Sequence, residues 1–457
     1  MQNNKMAEMP VKKLMLSMGV PIIISMMLQA FYNIVDSAFV SNMSEGGEAA
    51  LNALTLAFPM QVLMIAVSIG TGVGVNVRTA KCLGMGDSER AGLTAGNGLT
   101  LALIISAAFL LFGLFGAGPY IRSQTSNAQA AAMGTDYLRI CCVFSFGVPF
   151  FGVLEKLLQA SGHSGCSTVA QISGAVTNIA LDPVLIYGLF GLPELGARGA
   201  AYATVIGQAV SFVVALCFHF KVNTFIPRGL KYLRLDAATV KQIYSIGLPA
   251  VISQALISAM TYGMNIVLGR TGDEAVTAYG LYYKIWQFLL FAAFGMRDAI
   301  MPITAFAFGM GSRERIRQTV RWGQLYTLII MLAGTLGLEA LARPLCSVFG
   351  LSGDTDRLCL SAIHIISLCF VFAGVNIAFQ GVFQALGAGI SSLVVSVCRQ
   401  ALFVFPSALL LSWAAGWSPD KIGLVWWTFP ITELLTCGVS VLLYRSVKKR
   451  TSALLAG

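Results

Sequence analysis

Two aspartates stand inside apolar runs with an asparagine about one helical turn ahead of each: Asn33 and Asp36 in "YNIVDSAFV", and Asn178 and Asp182 in "NIALDPVLIYG". On a helix, spacings of three and four put amide and carboxylate on one face. An Asp at mid-bilayer costs roughly 2.5–3.5 kcal/mol on insertion scales, so its default reading is functional. Two carboxylates and an amide in low dielectric can share a proton, because burial and like charge favour the protonated form, or they can hold sodium through oxygen ligands. The competing reading is that each acid marks a helix end wetted by a loop. Pro183 lacks an N–H to offer the carbonyl of Ile179, so a bend is expected beside Asp182.

Other polar groups share these apolar runs. Glu155 in "GVLEKLLQ" precedes Lys156, with Gln159 one turn on. Either Glu155 and Lys156 snorkel to the interface, or Glu155 and Gln159, with Asn33, line a path for substrate or protons. Met27, Met64 and Met260 recur in apolar runs that a cleft between two lobes would bring together. Adaptable thioethers suit a promiscuous site there, lipid-facing filler being the alternative. Arg297, Asp298 and Arg399 read as compensating structural pairs between helices. The three histidines, His163, His219 and His364, fall in separate segments, and the ten cysteines include no CxxC pair. No zinc, haem or other cofactor is implied. The dipeptide Gly-Lys is absent, and with it a phosphate-cradling GxxxxGK loop.

These residues must be positioned by helices in a bilayer. The chain is 56% hydrophobic and 11% charged, with a mean hydropathy of +0.76, which excludes a soluble domain of this size. The first apolar run, from Leu14 to Val35, is too long for a signal-peptide core and is read as a retained span. Runs long enough to cross lie near 14–40, 49–77, 91–116, 136–158, 168–188, 199–220, 242–268, 276–308, 322–342, 359–384, 392–415 and 422–444. Twelve transmembrane helices are therefore expected. Nineteen Lys and Arg fall on the N-terminal side of the membrane and six on the other. That asymmetry predicts a multi-pass protein of the cell membrane with both termini cytoplasmic. The net charge of +10 sits in short loops and sets topology, so nucleic acid is not a partner.

The chain also repeats itself. "SMGVPIIIS" at Ser17 returns as "SIGLPAVIS" at Ser245, "GMGDSER" at Gly84 as "GMGSRER" at Gly309, and "LQASGHS" at Leu158 as "FQALGAG" at Phe383. The expected fold is an all-α membrane protein of two six-helix lobes, 1–225 and 226–457, joined by a cytoplasmic linker at 221–241. The lobes are expected to be parallel repeats about a pseudo-two-fold along the membrane normal, with substrate taken between them. The repeat maps Asp36 close to Met264, Asn178 to Phe403, Asp182 to Ser407 and Glu155 to Gln380. This constellation is thus confined to the first half, which points to one cation site there. One charge moved through ~100 mV supplies about 2.3 kcal/mol, enough for roughly a 50-fold substrate gradient, so an ion-coupled secondary transporter is expected.

With these segments in hand, the chain resembles the multidrug and toxic compound extrusion (MATE) transporters. The matching stretches are "GVPIIISMMLQAFYNIVDSAFV", "NIALDP", "PELGARGAAYAT" and the two "GMG" loops, and the resemblance spans nearly the whole chain. It implies a proton- or sodium-coupled antiporter that exports amphipathic, often cationic, organic compounds by alternating access. It places the cation site, which sodium could occupy, at Asp36, Asn178 and Asp182, with Thr204 as a further member. Glu155 matches an acidic position of the bacterial MepA-like branch. The expected partners are small organic cations or drugs and membrane lipids, and the expected state is a monomer. No Asp or Glu lies between Asp236 and Asp273 or between Asp356 and Asp420, so the resemblance does not extend to a cation site in helices 7 and 10. The alternatives are a lipid-linked precursor flippase of the same superfamily and, more distantly, an intramembrane lipid-processing enzyme. The first wants a cationic cavity and the second a cluster of His, Asp or Glu at a membrane face.

Overall fold

The computed structural model describes the backbone of residues 5–41, 47–348, 353–418 and 421–455. Within these, it describes all side chains except those of 32–34, 36–38, 41, 47–49, 51, 273, 345–348 and 353–355. Every regular element among the described residues is helical. Among the described residues, eleven helices are long and apolar enough to cross a membrane, and one bent pair makes a twelfth. In chain order we label the spans α1 (Val11–Ser41), α2 (Gly47–Gly84), α3 (Ser88–Phe115), α4 (Ala128–Val143 with Gly147–Ala160), α5 (Ser164–Ile186) and α6 (Ala197–Val222). They continue as α7 (Ala237–Gly269), α8 (Asp273–Gly309), α9 (Arg313–Val348), α10 (Gly353–Ile366 with Phe370–Ala385), α11 (Gly389–Val397 with Val404–Ala414) and α12 (Thr428–Leu454). The expected spans all occur. The fourth is not one rod, because its two pieces meet at 44°, and Gly147 at the break lets the chain approach the backbone of Gln208 on α6.

The repeated motifs are repeated helix stops. Gly86 and Gly311 have φ of 75° and 71°, and Gly162 and Gly387 have φ of 84° and 74°. A residue without Cβ adopts this left-handed backbone freely, which closes a helix by returning the next N–H to the carbonyl five residues back. That bond is made by Asp87 to Cys82, Ser312 to Ala307, His163 to Leu158 and Ala388 to Phe383, at 2.9, 3.1, 2.8 and 2.7 Å. After the two GMG stops the following helix starts on a side-chain cap: Asp87 Oδ1 accepts from Arg90 N–H at 2.9 Å, and Ser312 Oγ from Arg315 N–H at 3.3 Å.

Packing divides the chain into two compact units, Met1–Glu8 with Val20–Val251, and Met9–Gly19 with Ile252–Gly457. Within the first, α2 packs on α3 and α4, α4 on α6, and α5 on α6; within the second, α8 packs on α9 and α10, α10 on α12, and α11 on α12. The duplicated sequence thus builds the same internal contacts twice. The partition does not fall at the middle of the sequence. The start of α1 belongs to the second unit, where Gly19 leaves room for Met296 and Lys12 lies 5.2 Å over the Trp322 ring. The start of α7 belongs to the first, where Gly70 and Gly74 admit Gly247, Val251 and Ile243.

In the first unit the segment ahead of α7 is docked on α3. Lys231 and the Tyr232 hydroxyl donate to Glu89 at 2.9 and 2.6 Å, and Thr100 Oγ1 donates to Leu233 O at 2.7 Å. Asn97 Nδ2 donates to Arg234 O at 3.1 Å, while its Oδ1 accepts from Asp236 N–H at 2.8 Å. Gly92 and Gly96 lie against Pro227 and Tyr232, where a Cβ would collide.

Candidate functional site

The site begins with two stripes of spacing four. On α6, Gly199, Ala203, Gly207 and Ser211 form one; on α5, Gly174, Asn178 and Asp182 form the other. Small residues at this spacing let helix backbones touch, which is how helices associate where lipid supplies no hydrophobic drive. A Cβ at Gly207 would stand 2.7 Å from Gly174 O and 3.0 Å from Asn178 Cβ, and one at Gly199 would stand 2.4 Å from Leu185 O. This closeness buries Asn178 and Asp182, which are 3% and 0% exposed. Asn178 Nδ2 donates to Asp182 Oδ1 at 3.3 Å. Asn178 Oδ1 has no hydrogen-bond partner among the described residues. A wetted helix end is therefore excluded for Asp182: it lies one turn before the end of α5, yet solvent does not reach it. Pro183 lies within α5, which runs on to Ile186.

Of the other residues singled out, Thr204 is half-buried on α6. Asn33 and Asp36 lie on α1, and their side chains are outside the described residues. Met64 and Met260 are buried and Met27 is exposed; Met260 packs in an apolar cluster with Met264, Tyr282 and Trp286.

The tight crossing makes a direct prediction. Gly207→Val should separate α5 from α6 and cost at least the roughly 1–3 kcal/mol of an overpacked core, read as a lowered unfolding temperature in detergent. Gly165→Ala on the first turn of α5, where a Cβ meets nothing within 4 Å, should leave that temperature unchanged. Equal stability of the two variants would overturn the backbone-contact account.

A second polar string runs along α4. Gln159 Nε2 donates to Glu155 Oε1 at 2.8 Å, Lys156 Nζ donates to Gln159 Oε1 at 3.0 Å, and Asn76 Nδ2 on α2 donates to Lys156 O at 3.0 Å. Lys156 is 3% exposed, so the snorkelling alternative is corrected for it: its stem lies against Gly72 of α2, where a side chain would exclude it. The repeat inverts this arrangement. Gly72 and Lys156 correspond to Arg297 and Gly381, and a Cβ at Gly381 would stand 2.9 Å from Arg297 Cγ. Each unit therefore inserts one cation at the same helix crossing, from opposite helices. Arg297 donates to Asp298, its neighbour on α8, at 2.9 and 3.0 Å, so this pair lies within one helix and not between two.

Arg399 does pair between helices, with a residue the sequence reading passed over. On α12, Glu433 is buried and accepts from Arg399 Nε and Nη2 at 2.9 and 2.6 Å. Asn376 of α10 donates to Glu433 Oε2 at 2.8 Å and accepts from the Ser440 hydroxyl at 2.8 Å. The signal was an acid inside the last apolar run. Arg399 sits in a π-helical turn, Cys398–Leu402, and corresponds in the repeat to Gly174. Where the first unit closes two backbones on glycine, the second inserts an ion pair.

A duplicated bundle of six spans, with an acid and an amide buried together at the α5–α6 crossing of the first unit and a compensated Arg399–Glu433 pair in the second, points to a multi-pass membrane transporter. The MatE family model matches residues 21–184 and again 249–410, more than half of the chain, and the protein belongs to that family of transporters. It is 26% identical to the FAD transporter of Shewanella oneidensis, over 93% of this chain and 92% of that protein. It is 21% identical to the multidrug export protein MepA of Staphylococcus aureus, over 98% of this chain and 97% of that one. Among solved structures, an outward-facing multidrug resistance MATE transporter superposes with a TM-score of 0.91 at 24% identity, covering 100% of this chain and 99% of its own. A transporter of the wider superfamily from Pyrococcus furiosus, described as having a binding pocket of reversed polarity, superposes at 0.89 and 24% identity, covering 100% and 99%.

Proposed function

We propose that this chain is a secondary active exporter of organic compounds, driven by a proton or sodium gradient through Asp182, Asn178 and Asp36. The observation that carries it is the buried Asn178–Asp182 pair at the glycine crossing of α5 and α6. A buried carboxylate beside an amide oxygen that lacks a described partner offers oxygen ligands to a small cation or a place for a proton. Glu155 and Gln159, hydrogen-bonded to each other, are proposed to serve passage of substrate or protons. Alternating access of the two lobes, and the absence of catalysis, belong to this proposal.

The relatives support two substrate readings. Likeness to a multidrug export protein favours lipophilic organic cations. Likeness to an FAD transporter, at the higher identity, together with a buried Lys156, favours a dinucleotide carrying phosphate charge. Proteoliposomes with pH and sodium gradients imposed separately, loaded in one set with a fluorescent organic cation and in another with FAD, separate these readings. Export of either driven by at least one gradient supports coupling. Export indifferent to both gradients overturns it.

Orientation is tested by labelling. Leu230, 84% exposed, lies in the linker, and Leu230→Cys in a cysteine-free variant should react with an impermeant maleimide only from the cytoplasmic side. Labelling from outside would reverse the proposed topology.

A further inference from the structure

The starts of α1 and α9, both in the second unit, frame a cavity of ≈ 270 Å³ lined by Pro10, Val11, Lys12, Glu314, Arg317, Gln318, Arg321 and Trp322. Its charged lining is three cations and one acid. Glu314 accepts from Arg317 and Gln318 at 3.1 and 2.9 Å, and Lys12 lies over the Trp322 ring. Arg321 is exposed and makes no ion pair among the described residues. Two neighbouring arginines are already committed: Arg313 donates to Ser452 O at 3.0 Å and Arg315 to Met9 O at 2.8 Å. The cavity therefore carries an excess of positive charge that the protein around it does not neutralise.

The repeat shows that this surface is not generic. Glu89, Gly92, Gly96 and Asn97 of α3 correspond to Glu314, Arg317, Arg321 and Trp322 of α9. In the first unit those four positions are the seat of the linker, with glycines admitting Pro227 and Tyr232 and with Asn97 and Glu89 bonded to it. In the second unit the glycines are replaced by arginines and the asparagine by tryptophan, and Pro10, Val11 and Lys12 at the start of α1 stand across a cavity from them. What chain covers in one copy is a cationic, aromatic cavity in the other.

The same faces then turn apolar. Four residues after Arg321 comes Leu325, followed along α9 by Ile329, Leu332 and Leu336, all exposed; four after Lys12 on α1 comes Leu16, also exposed. Cations and an indole followed by an aliphatic stripe match the profile of a phospholipid, headgroup first and acyl chain along the helix. We propose that this cavity binds the headgroup of an anionic phospholipid, with Lys12, Arg317 and Arg321 on the phosphate and Trp322 at the glycerol level.

The test uses the full chain in detergent with equal amounts of phosphatidylglycerol and phosphatidylcholine, and counts retained lipid by native mass spectrometry. Wild type should retain phosphatidylglycerol in preference. Arg321→Gln should weaken it roughly fivefold, and the Lys12→Gln, Arg317→Gln, Arg321→Gln triple variant by more than tenfold, each cation near a lipid surface contributing about a factor of five. Lys448→Gln, Lys449→Gln and Arg450→Gln together remove three exposed cations outside the cavity and should leave retention unchanged. Undiminished retention in Arg321→Gln and the triple variant overturns the proposal, as does equal loss in the variant outside the cavity. Displacement of the lipid by millimolar glycerol phosphate would assign the site to a soluble phosphate and overturn the lipid assignment.

Discussion

Asp182→Asn is expected to yield folded protein that binds substrate and exports none of it against a gradient. The substitution keeps the shape and leaves an amide oxygen where Oδ1 accepts from Asn178 at 3.3 Å, so the glycine crossing should persist and the unfolding temperature should hold. What it removes is the group that gains and loses a charge or a cation. Accumulation driven by ~100 mV or its chemical equivalent, roughly 50-fold per charge moved, should fall to the passive level. Asp36→Asn should resemble it. Ser407→Ala, at the position the repeat matches to Asp182, should do much less, because no acid stands there. Transport by reconstituted protein, with each gradient imposed alone, is the measurement. Wild-type export by Asp182→Asn under both gradients would remove Asp182 from coupling.

Glu433→Gln is expected to have the largest effect on stability. Arg399 and Glu433 are 6% and 7% exposed, and taking the carboxylate away leaves a guanidinium buried without its countercharge. Breaking a buried pair from one side costs about 3–5 kcal/mol, whereas replacing both partners by apolar groups of similar volume is often neutral. Glu433→Gln and Arg399→Met should therefore each lower the folded yield and the unfolding temperature sharply. The double change Arg399→Met with Glu433→Leu should recover most of both and retain export. A Glu433→Gln protein as stable as wild type would mean that Arg399 finds its charge partner elsewhere. Double variants that fold but do not export would give the pair a role in transport and refute its reading as structural.

Some of this was legible in the chain alone because it depends on local pattern. Hydropathy over about 20 residues marks a span whatever it packs against, so the spans were placed to within a few residues at most ends. The repeated "GMG" and "SGH/LGA" segments are helix stops, and a positive φ is a property of the glycine itself; hence the duplication reappeared as four matching caps. An acid one turn from an amide in an apolar run was likewise visible as Asn178 and Asp182.

Tertiary structure decided the rest, because burial and pairing depend on residues far apart in sequence. Nothing local distinguishes Asp182 as a wetted helix end from Asp182 at 0% exposure; Gly199 and Gly207 of a different helix make the difference by letting α6 close on α5. Lys156 reads as a snorkelling lysine until Gly72, 84 positions earlier, is seen to hold its stem. Glu433 gains its meaning only beside Arg399, and the start of α1 belongs with the second unit because Met296 and Trp322 lie there. Periodicity determines which segments become helices and which face each residue occupies. Which helix meets that face is fixed by side-chain volume and charge at the contact, and a volume of zero at one glycine decides as much as any charged group.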